Sequence, residues 1–247
     1  MSKNIQEVQN FTFGPRPERE SKHAMWVASL VAWFGVIVTN IGNVTDIYPR
    51  ESGGWPGLYG KSVHGWAGAP QRFIEGISYF TMISNIMVAV VFMMIALSPR
   101  KTKWRSAMLD TTMMMITVTS IVFLTAILPF LHLSGLALLT SPWQHVVTPL
   151  TAWIVWALWG PRDFFNGAQG LGEVCLCLLR TAIIPAAWSV WMLIYGAFTH
   201  LYPYGFVNVN SIGYRGVAVS LVVVLLFGFA LELVFWAIDN QIMKRMR

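Results

Sequence analysis

Four polar residues in one apolar stretch, Glu75, Ser78, Thr81 and Asn85, recur at spacings of three, three and four, which lines one face of an α-helix. Polar groups held in hydrocarbon are costly and turn toward the protein interior, so such a stripe is the place to look for chemistry. A second apolar stretch opens with His145, followed by Thr148 and Pro149. An imidazole there can act as general base, ligand or hydrogen-bond partner. Counting roughly 20 residues back from the inner end of each stretch puts the outer boundary near Ser78 in the first and near Ser141 in the second. Thr81 lies three residues inside the one and His145 four inside the other. Matching depth is what a hydroxyl nucleophile and its base require. The same residues also suit a plainer role, since Ser, Thr and Asn commonly hold membrane helices together.

A second constellation lies toward the opposite side, where Asp110, Arg180 and Glu232 occupy similar depth in three apolar segments. Pairing relieves the cost of burying Arg180, so a buried structural ion network is expected, with a proton or substrate path as the alternative. His64, His132, His145 and His200 share one half of the molecule, but without an HExxH or comparable ligand spacing. No metal and no other cofactor is therefore expected. Cys175 and Cys177, two residues apart in an apolar run, read as packed thiols rather than as zinc ligands or a redox pair. Tyr202 and Tyr204, in a turn before the last apolar run, either reach back over the outer cavity or sit in the membrane interface.

The elements that must position these groups follow from composition. Of 247 residues, 55% are hydrophobic and only 11% charged, with 14% aromatic, and the mean hydropathy is +0.57. No soluble surface can be built from that balance, and it is the reverse of a disordered composition. Six apolar segments are long enough to cross a bilayer core: 24–45, 72–98, 106–131, 142–161, 175–198 and 213–239. The fold class is accordingly all-α, a polytopic membrane protein with a six-transmembrane helix bundle, since helices satisfy their own backbone in lipid. Lys3, Arg16, Arg19, Lys22, Arg100, Lys101, Lys103, Arg105, Arg162, Lys244, Arg245 and Arg247 fall on one side, against Arg50, Lys61, Arg72 and Arg215 on the other. That bias puts both termini in the cytoplasm and the protein in the cell membrane as a multi-pass chain. The net charge of +6 is spent on topology in this way, and nucleic acid is not an expected partner. The chain then divides into a cytoplasmic tail 1–23, the six-span domain 24–239 and a basic tail 240–247. A long outer connection, 46–71, is rich in glycine and aromatics and reads as a cap resting on the membrane surface, with a floppy surface loop as the alternative. The first span starts too late, and lacks the cleavage signature, for a signal peptide.

The order of features now matters. Tyr79, Phe80 and Thr81 in the second span, His145 followed by Pro149 in the fourth, the Tyr202–Pro203 turn and Glu232 in the last span resemble the androgen-induced protein family. Its members are multipass membrane hydrolases that cleave fatty acid esters of hydroxy fatty acids with a threonine and a histidine. Length and span count are similar to the family's predicted six-span prokaryotic branch, and the resemblance runs from the second span to the end. It implies Thr81 as nucleophile and His145 as its base. The family's animal members carry a further histidine shortly before the catalytic one, and here Ser141 to Gln144 offers none.

The expected function is hydrolysis of lipid fatty-acyl esters within the membrane. His145 takes the Thr81 proton, the threonine oxygen attacks the carbonyl, and Ser78, Asn85 or a backbone donor stabilises the oxyanion. Glu75 is the acidic candidate for orienting the imidazole. Membrane lipids and an acyl ester are the expected partners, with an apolar slot between helices for the chain. The rival is a non-catalytic accessory or scaffold subunit of a larger assembly, whose polar stripes are helix contacts and whose partners are other membrane proteins. A small proton-coupled carrier using Asp110, Arg180 and Glu232 is a further alternative.

Overall fold

A computed structural model of the protein describes residues 10–14, 16–48, 57–162, 164–168 and 170–246. Among the described residues the regular structure is helical, with two isolated β-bridges, Asn10 to Arg100 and Phe13 to Pro161. In chain order the helices are α1 (Glu18–Val44), α2 (Ala69–Ile77), α3 (Phe80–Leu97), α4 (Lys103–Val122), α5 (Ala137–Pro142), α6 (Thr148–Trp159), α7 (Leu171–Thr181), α8 (Ile183–Thr199) and α9 (Val209–Met246). π-Helical turns extend α4 over Phe123–Ile127 and join α5 to α6 over Trp143–Val147.

Five helical stretches are long and apolar enough to cross a membrane: Glu18–Val44, Phe80–Leu97, Lys103–Phe130, Leu171–Thr199 and Val209–Met246. The protein is thus a multi-pass helical membrane protein. The remaining expected span is helical from Ala137 to Trp159, but its π turn divides it into short pieces. Pro142 and Pro149 flank that turn, and each removes an N–H that a regular helix needs.

Two further boundaries differ from the sequence reading. The expected second span breaks at Ser78–Tyr79, where Tyr79 is extended (φ −71°, ψ 138°). Glu75 therefore belongs to a separate short helix that Ser78 caps, and the four-residue stripe is not one helical face. The segments read as tails are also ordered in part. α1 begins at Glu18, with Glu18 and Glu20 in its first turn, where acidic groups suit the helix dipole. α9 runs to Met246 with Lys244 and Arg245 in its last turn.

α4 is the central helix. Leu109 through Ser120 are all buried, and α4 touches α3, α6, α7 and α9. A helix buried all round is apolar all round, and its threonines are tolerable because their hydroxyls bond back into the helix. Thr112 donates to the Met108 carbonyl and Thr117 to that of Met113, at 2.6 and 2.7 Å. The peripheral helices turn apolar side chains outward instead, among them Leu30, Phe34 and Ile41 of α1 and Val219, Val223 and Leu226 of α9.

Both ends of the bundle are closed by chain that the hydropathy pattern left as loops. At the end near the termini, residues 10–14 lie across the helices. Phe11 N donates to the Pro99 carbonyl and Arg162 N to that of Thr12, both at 2.7 Å, and Phe11 and Phe13 are buried. Arg162, counted above as a flanking charge, is itself 2% exposed and pairs with Asp239 at 3.1 Å. At the opposite end Arg72 is equally buried and gathers the carbonyls of Asn43 and Val44 at 2.7 and 2.9 Å, together with those of Val63 and Gly65. It ties the connection after α1 to the start of α2. Of the expected cap, Arg50 and the rest of residues 49–56 lie outside the described residues.

Candidate functional site

The break at Tyr79 places Thr81 in the first turn of α3, and the π turn at Trp143–Val147 carries His145 toward it. Thr81 Oγ1 and His145 Nε2 are 3.2 Å apart. The other ring nitrogen, Nδ1, lies 2.8 Å from the Ser141 carbonyl oxygen, which can only accept. Nδ1 therefore carries the ring proton and Nε2 presents a lone pair to the Thr81 hydroxyl. The ring is further fixed by Phe123, stacked on it with centroids 3.7 Å apart and planes at 16°.

The local sequence explains the pose. Pro149 has no N–H to give the His145 carbonyl, and Ser120 Oγ of α4 donates to that oxygen instead, at 2.7 Å. The Thr81 carbonyl accepts from Ser84 Oγ and Asn85 Nδ2, both at 2.9 Å, and Ser84 Oγ also contacts Thr119 Oγ1 at 2.8 Å. Asn85 Nδ2 additionally reaches the Gln144 carbonyl at 3.2 Å, linking the helix that bears the hydroxyl to the turn that bears the imidazole.

Tyr204, in the turn before α9, completes the group. Its Oη is 3.3 Å from both Thr81 Oγ1 and Thr81 N. The ring stacks on Phe206 and meets Tyr79 edge-on, and burial pushes the phenol above its usual pKa. Tyr79 itself, raised likewise by burial, accepts the Leu58 N–H at 3.0 Å. From Thr81 an apolar cleft runs between α3, α4, α8 and α9, lined by Phe80, Val118, Phe123, Trp188, Leu221 and Val224 among others. Its cavity volume is about 50 Å³. That space has room for water, and its apolar walls suit an aliphatic chain.

The other sequence candidates go elsewhere. Glu75 is fully buried, and its Oε1 accepts from Gln71 Nε2 at 2.8 Å and from Tyr195 Oη at 3.3 Å. The group on Nδ1 of His145 is the Ser141 carbonyl, not Glu75. Ser78 donates to the Ile74 carbonyl at 2.6 Å, accepts from Trp191 Nε1 at 3.0 Å, and its own carbonyl takes Trp188 Nε1 at 2.9 Å. With Asn85 bound to two carbonyls, neither it nor Ser78 is aimed at a reacting oxygen beside Thr81.

Asp110, Arg180 and Glu232 do not assemble as the expected ion network. Glu232 Oε2 accepts from Thr181 Oγ1 at 2.9 Å, and Asp110 accepts the Phe165 N–H at 3.2 Å. Among the described residues the buried ion pair at this end is Arg162 with Asp239, and Arg180 is part-exposed. Charge and depth made Arg180 the better candidate by sequence, whereas Arg162 is buried because residues 10–14 and α9 cover it. Cys175 is exposed and Cys177 buried, both as free thiols. Among the described residues no group of three or more His, Cys, Asp or Glu side chains is placed to hold a metal ion.

Ser141, Ser120 and Phe123 were not singled out as site residues by sequence, and Tyr204 only as a residue that either reaches back over the outer cavity or sits in the membrane interface. The one available signal was Pro149, whose missing N–H called for a hydroxyl beside the His145 carbonyl. No protein-family model, no curated protein and no solved structure matches the chain.

Proposed function

We propose that the protein is an integral-membrane hydrolase of fatty-acyl esters, with Thr81 as nucleophile and His145 as general base. One observation carries the reading: the Thr81 hydroxyl faces the unprotonated nitrogen of a ring whose other nitrogen is committed to the Ser141 carbonyl. A structural threonine needs no such arrangement, because it can bond back to its own helix, as Thr112 and Thr117 do. The resemblance to the androgen-induced protein family, drawn from Thr81, His145 and their neighbours, points to the same pair. The apolar cleft that opens beside Thr81 favours a lipid substrate over a water-soluble ester.

In the forward step Thr81 Oγ1 bonds to the ester carbonyl carbon while its proton passes to His145 Nε2. Collapse of the tetrahedral centre expels the alcohol, which takes that proton from the imidazolium. Water then attacks the acyl-threonine with His145 again as base, releasing the fatty acid. The membrane frame belonging to this reading has six spans, with Ala137–Trp159 as the divided one. The basic residues flanking the helices put both termini in the cytoplasm, and the site then lies near the outer headgroup boundary of the cell membrane.

Purified protein hydrolysing the palmitate ester of p-nitrophenol in detergent micelles tests the proposal. Turnover is expected to vanish in both Thr81→Ala and His145→Ala with folding intact, and a phosphonate probe is expected to label Thr81. Turnover retained in both variants removes the hydrolase. A chain without turnover that purifies with stoichiometric membrane partners is the accessory subunit instead.

A further inference from the structure

The Tyr204 hydroxyl is set against both halves of the nucleophilic residue, 3.3 Å from Thr81 Oγ1 and 3.3 Å from the Thr81 amide nitrogen. The direction of the oxygen–oxygen contact follows from the neighbours. The proton on His145 Nδ1 faces the Ser141 carbonyl, so Nε2 takes the proton of Thr81. With that hydrogen committed, the one left for the contact is the phenol's own, and Tyr204 donates to Oγ1.

We infer that Tyr204 is the residue whose hydroxyl stabilises the oxyanion as Thr81 attacks an ester carbonyl; this rests on the hydrolase reading above. When Oγ1 bonds to the carbonyl carbon, the π pair of the C=O bond moves onto its oxygen, two bonds away from Oγ1. A donor acts on an oxyanion at roughly 2.7–3.1 Å, and the Tyr204 hydroxyl starts 3.3 Å from the attacking atom, beside which the oxyanion forms. The phenol transfers its hydrogen bond from Oγ1 to the new oxyanion and keeps its proton throughout. Collapse restores the C=O bond and sends the electron pair to the leaving alkoxide, which takes its proton from His145.

Three features hold the donor in place. Tyr204 stacks on Phe206 at 5.3 Å with planes at 3°, and Tyr79 meets its ring edge-on at 5.9 Å. The break at Tyr79 puts the Thr81 N–H in the first turn of α3, where amides have no acceptor within the helix, and that N–H is turned to the same phenol oxygen. Tyr204 also lines the cleft that Thr81 opens into. The two donors first suggested by sequence, Ser78 and Asn85, are bound to carbonyls elsewhere, which leaves Tyr204 as the side chain in position.

The test compares wild type, Thr81→Ala and Tyr204→Phe on p-nitrophenyl palmitate, together with protein carrying mono-, di- or trifluorinated tyrosine at position 204. Tyr204→Phe is expected to lower kcat about 10²–10³-fold, with KM changed little and an unfolding temperature near that of wild type. The fluorinated series keeps ring and hydroxyl, so it answers even where the phenylalanine variant folds poorly. A kcat that changes progressively with phenol acidity supports the inference, because a merely structural hydroxyl gives no such trend. A kcat within twofold of wild type in Tyr204→Phe, or one indifferent to fluorination, overturns it while an inactive Thr81→Ala leaves the hydrolase standing. An active Thr81→Ala removes the hydrolase reading and this inference with it.

Discussion

His145 lies face to face with Phe123, ring centroids 3.7 Å apart, and each residue belongs to a π-helical turn of its own helix. A π turn inserts one residue into the helical register, so the side chains beyond it rotate relative to a regular helix. Two such turns facing each other bring an aromatic plate and an imidazole into register at the depth of Thr81. Single π turns are common at functional sites and costly elsewhere. The prolines after and around them explain how the register shift survives: carbonyls that lose their helical donors find Ser120 and other side chains instead.

The first prediction concerns the proton on that ring. With Nδ1 2.8 Å from the Ser141 carbonyl, His145 is expected to be a neutral imidazole protonated at Nδ1. Nitrogen NMR of histidine-labelled protein, with His145→Asn to assign the resonance, reads the tautomer directly. A resonance pair showing the proton on Nε2 contradicts the base assignment, because that nitrogen then has no lone pair for Thr81.

A second prediction tests the closure at the other end. Arg162 pairs with Asp239 while both are buried, and Asp239 also accepts the Phe164 N–H at 2.9 Å. Arg162→Met takes the buried guanidinium away from the Asp239 carboxylate and is expected to destabilise the protein by about 3–5 kcal/mol. Adding Asp239→Leu removes the buried negative charge and is expected to recover most of that loss, less about 1–3 kcal/mol for the Phe164 amide left without its acceptor. Thermal unfolding in one detergent ranks the three proteins. A double variant no more stable than Arg162→Met shows that the charge pair is not what holds this end.

How much of this was legible in the sequence depends on the kind of signal. Hydropathy marks the apolar stretches, and depth counting sets Thr81 beside His145, because both are properties of a helix in a slab of fixed thickness. The break at Ser78–Tyr79 was not legible, since Gly76, two residues before it, is a lone glycine in an otherwise helical pattern, which a helix tolerates. It is held from outside, by Trp188 donating to the Ser78 carbonyl and Trp191 to the Ser78 hydroxyl. Arg72 and Arg162 read as flanking charges because composition cannot tell a guanidinium facing water from one wrapped in carbonyls. Tyr204 lies in a turn whose path depends on α8 and α9 together, a tertiary fact that spacing along the chain does not encode.

The cleft supplies a third prediction. Leu221 of α9 lines it beside Thr81, and Leu221→Trp fills the space that a chain is expected to occupy. Hydrolysis of the p-nitrophenyl ester of acetate is expected to persist, while that of the palmitate ester falls steeply. Each methylene denied burial loses about 0.8 kcal/mol, or roughly fourfold in kcat/KM, so the dependence on chain length flattens beyond the point where the tryptophan blocks the path. An unchanged chain-length profile places the acyl chain somewhere other than this cleft.

The last prediction acts on the site from a distance. Gly196 of α8 packs directly against the buried Tyr202 ring, and a Cβ added there falls 2.1 Å from Tyr202 Cε1. Tyr202 lies two residues before Tyr204, in the same turn, so an alanine at 196 that pushes the ring aside also moves the phenol away from Thr81. Overpacking of this kind costs about 1–3 kcal/mol, which unfolding temperature reads. The site effect is separate: kcat is expected to fall toward the value for Tyr204→Phe, and combining the two substitutions is expected to add little in kcat, since both remove the same contact. Losses that multiply in the double variant instead show that Gly196 and Tyr204 act independently, and that the Tyr202 turn does not position the phenol.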